Sequence, residues 1–422
     1  MSLPAWEAVD GERLQENIEV NGQFGHVETE SGRGRTVLPG TFANKQAREY
    51  LVEQLRLAGL EVRIDPVGTI AGRYEPRGVD PDAAPVAAGS HLDSVPYGGI
   101  FDGPLGVYGA LEAVRAINRA DVDLARPIEV VSFTEEEGVR FTNGTLGSLV
   151  ASRKVEPEAM LARTDDSGET LGSALEQIGF AGEDDIDATT WDAWLELHVE
   201  QGEQLTDADA AVGIVSSIAG IIRCKIEIDG RSSHSGTAWM DDRTDALVAA
   251  SELVTTVERK GRELAARDGG ETVATVGELE VDPGAVNVVP GHATLRIDIR
   301  STTYANMNSI MSSIEAELTR LEAKRDVETT LDRPYDIRPI RMSDRCRVGF
   351  ADAAETVGAR GISLHSGAGH DTMRIADVTD GGLLFAPSER GISHNPEEWT
   401  KWSDCTDAVR VLTDALVRLA TE

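Results

Sequence analysis

Lysine, cysteine and long apolar runs are all scarce in this sequence, and each shortage excludes something. Only 6 of the 40 basic residues are lysines, against 73 acids, which leaves a formal net charge of −33. A phosphate backbone or an anionic membrane surface is repelled by such a chain, so nucleic-acid and peripheral-membrane partners are excluded. The acids are spread along the whole chain rather than gathered into a tail. Acid excess with little lysine is a solubility device of salt-adapted proteins, so a high-salt cytoplasm is expected. The three cysteines, Cys224, Cys346 and Cys405, are far apart, odd in number and in no CxxC spacing. They neither staple a secreted fold nor build a zinc–thiolate site. No apolar run approaches the roughly 18 residues of a membrane span. The start, Met1 to Glu7, carries no basic or apolar leader signal. The expectation is a soluble, cytoplasmic, globular protein.

At roughly 150 residues per domain, 422 residues predict two or three domains. No internal repeat or low-complexity tract breaks the chain. A helix is predicted from about Asn44 to Ala58, with Ala47, Tyr50, Leu51 and Leu55 on one face and Gly59 as its stop. Buried strands at 86–89, 128–133 and 194–199 then alternate with helices at 106–118 and 404–420, which describes an α/β layer with a largely parallel sheet. The middle of the chain differs. Strand 223–228, helix 242–258, strands 272–276 and 293–299, helix 306–324 and strand 327–331 give the order βαββαβ of a ferredoxin-like module. The predicted organisation is a catalytic domain from 1–212 and 332–422, with an α+β module inserted at 213–331.

Histidine is rare, with eight in the chain, so its neighbours are informative. His26, His292 and His365 have surroundings that suit structural or surface roles. The other five lie among glycines and carboxylates. Gly89-Ser90-His91-Leu92-Asp93 ends a predicted buried strand, where ligand sites of open α/β sheets lie. Asp93 is placed to orient the imidazole, as metal-bound histidines require; a strand-end histidine bonded to its own aspartate is the plainer alternative. Asp102, flanked by glycines ahead of a helix, reads as a ligand or as a helix cap. Glu135-Glu136-Glu137 follows the strand ending at Phe133 and reads as a cation site or as a solvated acidic loop. His198 sits in Leu195-Glu196-Leu197-His198-Val199-Glu200-Gln201, and His394 in a loop near the C-terminus. Together His91, Asp102, Glu137, His198 and His394 offer three imidazoles and two carboxylates. Such donors suit Zn²⁺, Mn²⁺, Co²⁺ or Ni²⁺. Five of them suit a pair of ions bridged by one carboxylate. Glu136 is then left over as a base.

The strings GSHLDSVPYGGIFDGPLGV, EEEGVRF, ELHVEQG, SSHSGT, NVVPG, DIRS, SGAGHD and GISHNPEEW, in this order, resemble the amidase/hydantoinase/carbamoylase family over about residues 17–419. That family contains N-carbamoyl-L-amino-acid hydrolases, β-ureidopropionases and allantoate amidohydrolases, and is related to dinuclear zinc exopeptidases. The resemblance implies a mixed-sheet catalytic domain with an inserted lid and dimerisation domain, two divalent ions (Zn²⁺ first, or Mn²⁺, Co²⁺ or Ni²⁺), a homodimer and a small ureido substrate. It makes Asp102 the bridging ligand, with Glu137 and His394 on one ion and His91 and His198 on the other. Glu136 becomes the general base and Asp93 the partner of His91. If the register of the acid pair slips by one, Glu135 and Glu136 take these roles. Gln201, Asn287 and Arg300 resemble substrate-binding residues, with Arg300 gripping a carboxylate. His234 would reach the site from the other subunit and polarise the scissile carbonyl, and Gly367 to His370 would loop over the substrate. The implied reaction is hydrolysis of a ureido C–N bond. A dinuclear aminopeptidase or deacylase is the alternative enzyme, against which ELHVEQG and GISHNPEEW speak. A scaffold protein that kept the fold without catalysis would lack a ligand or the base, and none is missing.

Overall fold

The computed structural model describes residues 3–422. The chain divides into two compact units, one reaching to Ser216 and comprising also Arg341–Leu364 and His370–Glu422, the other Ser217–Ile340 with His365–Gly369.

The first unit is built on a mixed sheet. Asp380–Ala386, Ala193–Val199, Val86–His91 and Ile128–Phe133 lie side by side and parallel. Antiparallel strands bracket them, with Ile70–Tyr74 and Glu61–Ile64 beyond Ile128–Phe133 and Val212–Ile218 beside Asp380–Ala386. Every residue of Val86–His91, Ile128–Phe133 and Ala193–Val199 is buried, as expected of parallel strands covered on both faces. Helices Pro104–Ala120 and Trp402–Thr421 pack on the sheet and on each other through Leu105, Leu111 and Val114 and through Val409, Leu412 and Leu416. Gly106 explains how closely the first of these helices lies. A Cβ there would come within 2.3 Å of the Leu197 carbonyl oxygen, so the cost of a helical glycine is offset by contact with the strand.

Parallel strands end at one edge, and that edge carries the candidate metal donors. His91 is the last residue of its strand, His198 the last but one of its own, and Glu135 to Glu137 follow Phe133 directly. The loop after Ala386 carries His394.

The second unit runs Gly220–Asp229, helix Ala246–Asp268, Thr272–Asp282, His292–Ser301, helix Tyr304–Arg325, Glu328–Ile337. Its four strands form an antiparallel sheet in the order Thr272–Asp282, His292–Ser301, Gly220–Asp229, Glu328–Ile337. The inner residues of the strands and both helices share one core that includes Ile226, Leu253, Leu295 and Ile310. Helix 246–268 runs ten residues past its expected end because Gly261 and Leu264 continue the buried stripe begun by Ala246, Ala250, Leu253 and Val257. Strand 272–282 runs past Val276 because the register shift between Val276 and Glu278 is a bulge at Gly277, which breaks the alternation used to trace it. The unit therefore spans 217–340 rather than 213–331, and gains 365–369, a short segment that no periodicity announces. Among the described residues, no helix is long and apolar enough to cross a membrane.

Candidate metal centre

Five side chains from four separate stretches of the first unit converge. His91, Asp102 and His198 form one group of donor atoms, and Asp102, Glu137 and His394 another, with all donors of a group within 4.8 Å of one another. Asp102 belongs to both. Its Oδ1 lies 3.4 Å from His91 Nε2 and 3.3 Å from His198 Nε2, and its Oδ2 lies 3.7 Å from His394 Nε2. Glu137 Oε2 is 3.1 Å from His394 Nε2. Glu136, outside both groups, holds Oε2 3.7 Å from His91 Nε2.

Local structure aims these atoms. The Nδ1 of His91 faces the Asp93 carbonyl oxygen at 3.1 Å, and that of His198 faces the Val199 carbonyl oxygen at 3.0 Å. A carbonyl only accepts, so each Nδ1 carries the proton and each Nε2 is turned to the pocket. The aspartate expected to orient His91 does so more closely through its backbone. Its carboxylate stands 3.7 Å from Nδ1 and accepts instead the N–H groups of Glu136 and Glu137, at 3.3 and 3.2 Å. Asp102 is no helix cap, since Gly103 holds that position with no side-chain bond.

Glu135 lies apart from its neighbours. Its backbone is left-handed, with φ 53°, and its buried carboxylate accepts the N–H groups of Arg140, Phe141 and Thr142. Burial pushes that carboxyl up to about 7 against those bonds. Glu135 shapes the loop, and Glu136 and Glu137 are the acids that face the imidazoles.

The donor set fits divalent cations. His91 Nε2 is buried and makes no hydrogen bond, although two carboxylate oxygens stand within 4 Å of it; the atoms converge on a point, not on each other. All three cysteines are free and buried, and none belongs to either donor group. Nitrogen and oxygen donors alone suit a first-row divalent ion.

Several supporting charges were not legible in the sequence. Glu398, fully buried, accepts the N–H groups of Phe101 and Asp102 at 2.8 and 3.0 Å, and Ser393 Oγ donates to Asp102 Oδ2 at 2.6 Å. Arg35, also fully buried, donates to the carbonyls of Gly99, Leu92 and Asp102. Behind the imidazoles, Glu196 accepts from Ser90 and Thr372, and Asp371 from Ser148. The one available signal was the second glutamate of GISHNPEEW.

Of the expected substrate residues, Gln201 and His370 lie in the first unit, where the His370 ring meets the His198 ring edge-on at 4.6 Å. His234, Asn287, Arg300 and Gly367 lie in the second. There Ser233–His234 pairs with Val288–Val289, and Ser235 donates to the Asn287 carbonyl. Arg300 donates to Asp298 and to the Gly367 carbonyl.

Without metal the His394 imidazole holds a proton. The hydrogen bond to Glu137 outweighs burial and raises His394 to about 9. At pH 7 that ring is protonated, and a metal must displace the proton to bind. Affinity for Mn²⁺ is therefore expected to rise with pH, by up to about tenfold per unit for one proton, and to level off above about 9. Chelator-competition titrations between pH 6 and 9.5 measure this, and a pH-independent affinity would contradict it.

The profile of peptidase family M20/M25/M40 matches residues 87–418. The chain is 36% identical to an N-carbamoyl-L-amino acid amidohydrolase of Geobacillus stearothermophilus, over 98% of this chain and 99% of that one. It is 33% identical to a ureidoglycolate hydrolase of Arabidopsis thaliana, over 100% and 89%. The crystal structure of an amidase of the hydantoinase/carbamoylase family from Burkholderia multivorans superposes with a TM-score of 0.90 at 34% identity, covering 98% of each chain.

Proposed function

Because the chain belongs to peptidase family M20/M25/M40 and to the hydantoinase/carbamoylase amidases, we propose that it hydrolyses a ureido C–N bond in a small carboxylated substrate, releasing ammonia. The observation that carries this reading is the sharing of Asp102 between two groups of metal donors, with an unused carboxylate, Glu136, beside them.

In this reading His91 and His198 would hold one ion and Glu137 and His394 the other, with Asp102 available to both; Zn²⁺ is the first choice and Mn²⁺, Co²⁺ or Ni²⁺ the alternatives. Bound divalent ions would supply Lewis acidity, polarising the carbamoyl carbonyl and acidifying water. Glu136 accepts the proton of the attacking water and passes it to the leaving nitrogen. Asp93 keeps Glu136 and Glu137 in place through their backbone N–H groups. Arg300 grips the substrate carboxylate with a two-pronged guanidinium contact, and Gln201, Asn287, Gly367 and His370 are further candidate substrate contacts. Cleavage of the C–N bond gives the amine or amino acid and a carbamate fragment, which breaks down to CO₂ and ammonia.

The second unit serves as a lid and dimerisation domain, so that His234 of the partner subunit meets the carbonyl oxygen. Its large apolar side chains at Trp239, Met240 and Val286, 80%, 74% and 102% exposed, support a partner surface.

Ammonia release from an N-carbamoyl-L-amino acid, allantoate, N-carbamoyl-β-alanine and ureidoglycolate, with Zn²⁺, Mn²⁺, Co²⁺ or Ni²⁺ in high KCl, tests the reading. Turnover of at least one, abolished by chelator, is expected. Cleavage of a dipeptide with none of the ureido acids turned over would overturn it. The acidic surface carries its own expectation. With 73 acids against 40 bases, added KCl should raise the melting temperature by screening self-repulsion. A melting temperature that does not move between millimolar and molar KCl would refute salt adaptation.

A further inference from the structure

We propose that Asp298 is a positioning residue that fixes the Arg300 guanidinium so that one edge of its fork is closed and one N–H on each terminal nitrogen stays open to a substrate carboxylate. The inference rests on the carboxylate-gripping role given to Arg300 above.

Asp298 and Arg300 are two residues apart on strand His292–Ser301 and so share a face. Asp298 Oδ1 accepts from Arg300 Nε at 2.9 Å, and Oδ2 accepts from Nη2 at 3.4 Å. The side edge of the guanidinium is thereby occupied. Nη1 donates to the Gly367 carbonyl at 2.8 Å. A guanidinium has five N–H groups, and three are engaged. One on Nη1 and one on Nη2 remain, the number that a two-pronged grip on a single carboxylate uses.

Asp298 is itself held from the far side. Arg223 lies directly across from it on strand Gly220–Asp229 and donates from Nε to Asp298 Oδ2 at 3.2 Å. The Arg223 guanidinium rests over the Tyr335 ring at 5.3 Å. Asp298 thus has an arginine on either side, bonded to Arg300 and to Arg223. The consequence falls on Arg300, a long side chain still 30% exposed, whose ordering would otherwise oppose binding. Asp298 also repels a second anion from the closed edge, so a substrate carboxylate approaches from the open side alone.

Kinetics on whichever ureido acid of the panel turns over, and on its carboxamide, test the inference together with a measurement that needs no substrate. Arg300→Ala should raise KM for the acid; an unchanged KM there would overturn the role of Arg300 itself. Asp298→Ala should raise KM for the acid about tenfold, the worth of an oriented charge-assisted contact. It should change kcat far less, leave KM for the carboxamide in place and add nothing in the Arg300→Ala background. Asp298→Asn, which keeps one acceptor oxygen, should fall between. Equal losses on acid and carboxamide, or full additivity with Arg300→Ala, would overturn the proposal. In ¹⁵N–¹H spectra the Arg300 Nε–H signal, assigned by its absence in Arg300→Ala, should shift or broaden in Asp298→Ala. A signal that stays where it is in the wild type would overturn the proposal whatever the enzyme hydrolyses.

Discussion

Glu136→Gln is expected to lower kcat by about 10³-fold while the protein keeps its full complement of divalent ions. Glutamine fills the same space but cannot take a proton. Glu136 belongs to neither donor group, so no metal ligand is lost with it. Burial, seconded by Asp371, Glu137 and Asp93, raises its carboxyl well above the ordinary range against the pull of His91. That direction moves a carboxylate toward the working pH, where a general base is most effective. The comparison variant is Glu135→Gln. Glu135 accepts three backbone N–H groups, all on Oε1, which a glutamine carbonyl oxygen can take over, so this change should leave kcat within a few-fold. Elemental analysis alongside saturating kinetics reads both variants. If Glu136→Gln kept kcat within a few-fold and Glu135→Gln lost it, the register of the acid pair would be the other one.

That register marks how far a sequence alone reaches. Three consecutive glutamates look alike on paper, and what separates them is one backbone torsion. The left-handed turn at Glu135 sends its side chain back onto the loop and the next two toward the imidazoles. The strands that position the site were legible because burial on both faces leaves continuous apolar runs at 86–91, 128–133 and 193–199. The candidate donors were legible because histidine is scarce and each histidine of the two donor groups stood at a strand end or among glycines. The charges beneath them were not. In a chain with 73 acids, Glu398 reads as one more solvated glutamate, yet it is fully buried against two backbone N–H groups. Its neighbour Glu397, one residue earlier, pairs with Arg390 at the surface. Arg35, from a two-stranded hairpin with no apolar pattern, gave no hint that it lies under the Asp102 turn. Which of two adjacent acids is buried depends on tertiary contacts between residues some 300 positions apart, and local periodicity carries no trace of them.

Those buried contacts also make the second large effect measurable, the loss of both ions in Asp102→Ala. Asp102 is the only residue common to both donor groups, so its removal strips one oxygen from each. A variant at His394, which belongs to one group alone, should lose one ion and keep the other. The turn itself should survive the change, because its ties run through the main chain. The Asp102 N–H donates to Glu398 and its carbonyl accepts from Arg35, and Ser393 still has Glu398 Oε2 at 3.3 Å. Folding and metal binding are therefore separable. In wild type, an ion at one hundred times its Kd should stabilise the fold by about 2.7 kcal/mol, seen as a rise in melting temperature that chelator reverses. In Asp102→Ala that rise should vanish, the metal content should fall below one ion per chain, and the metal-free melting temperature should stay close to that of metal-free wild type. Retention of two tightly held ions by Asp102→Ala would mean that this carboxylate does not join the two sites, and the mechanism built on a shared bridge would fall with it.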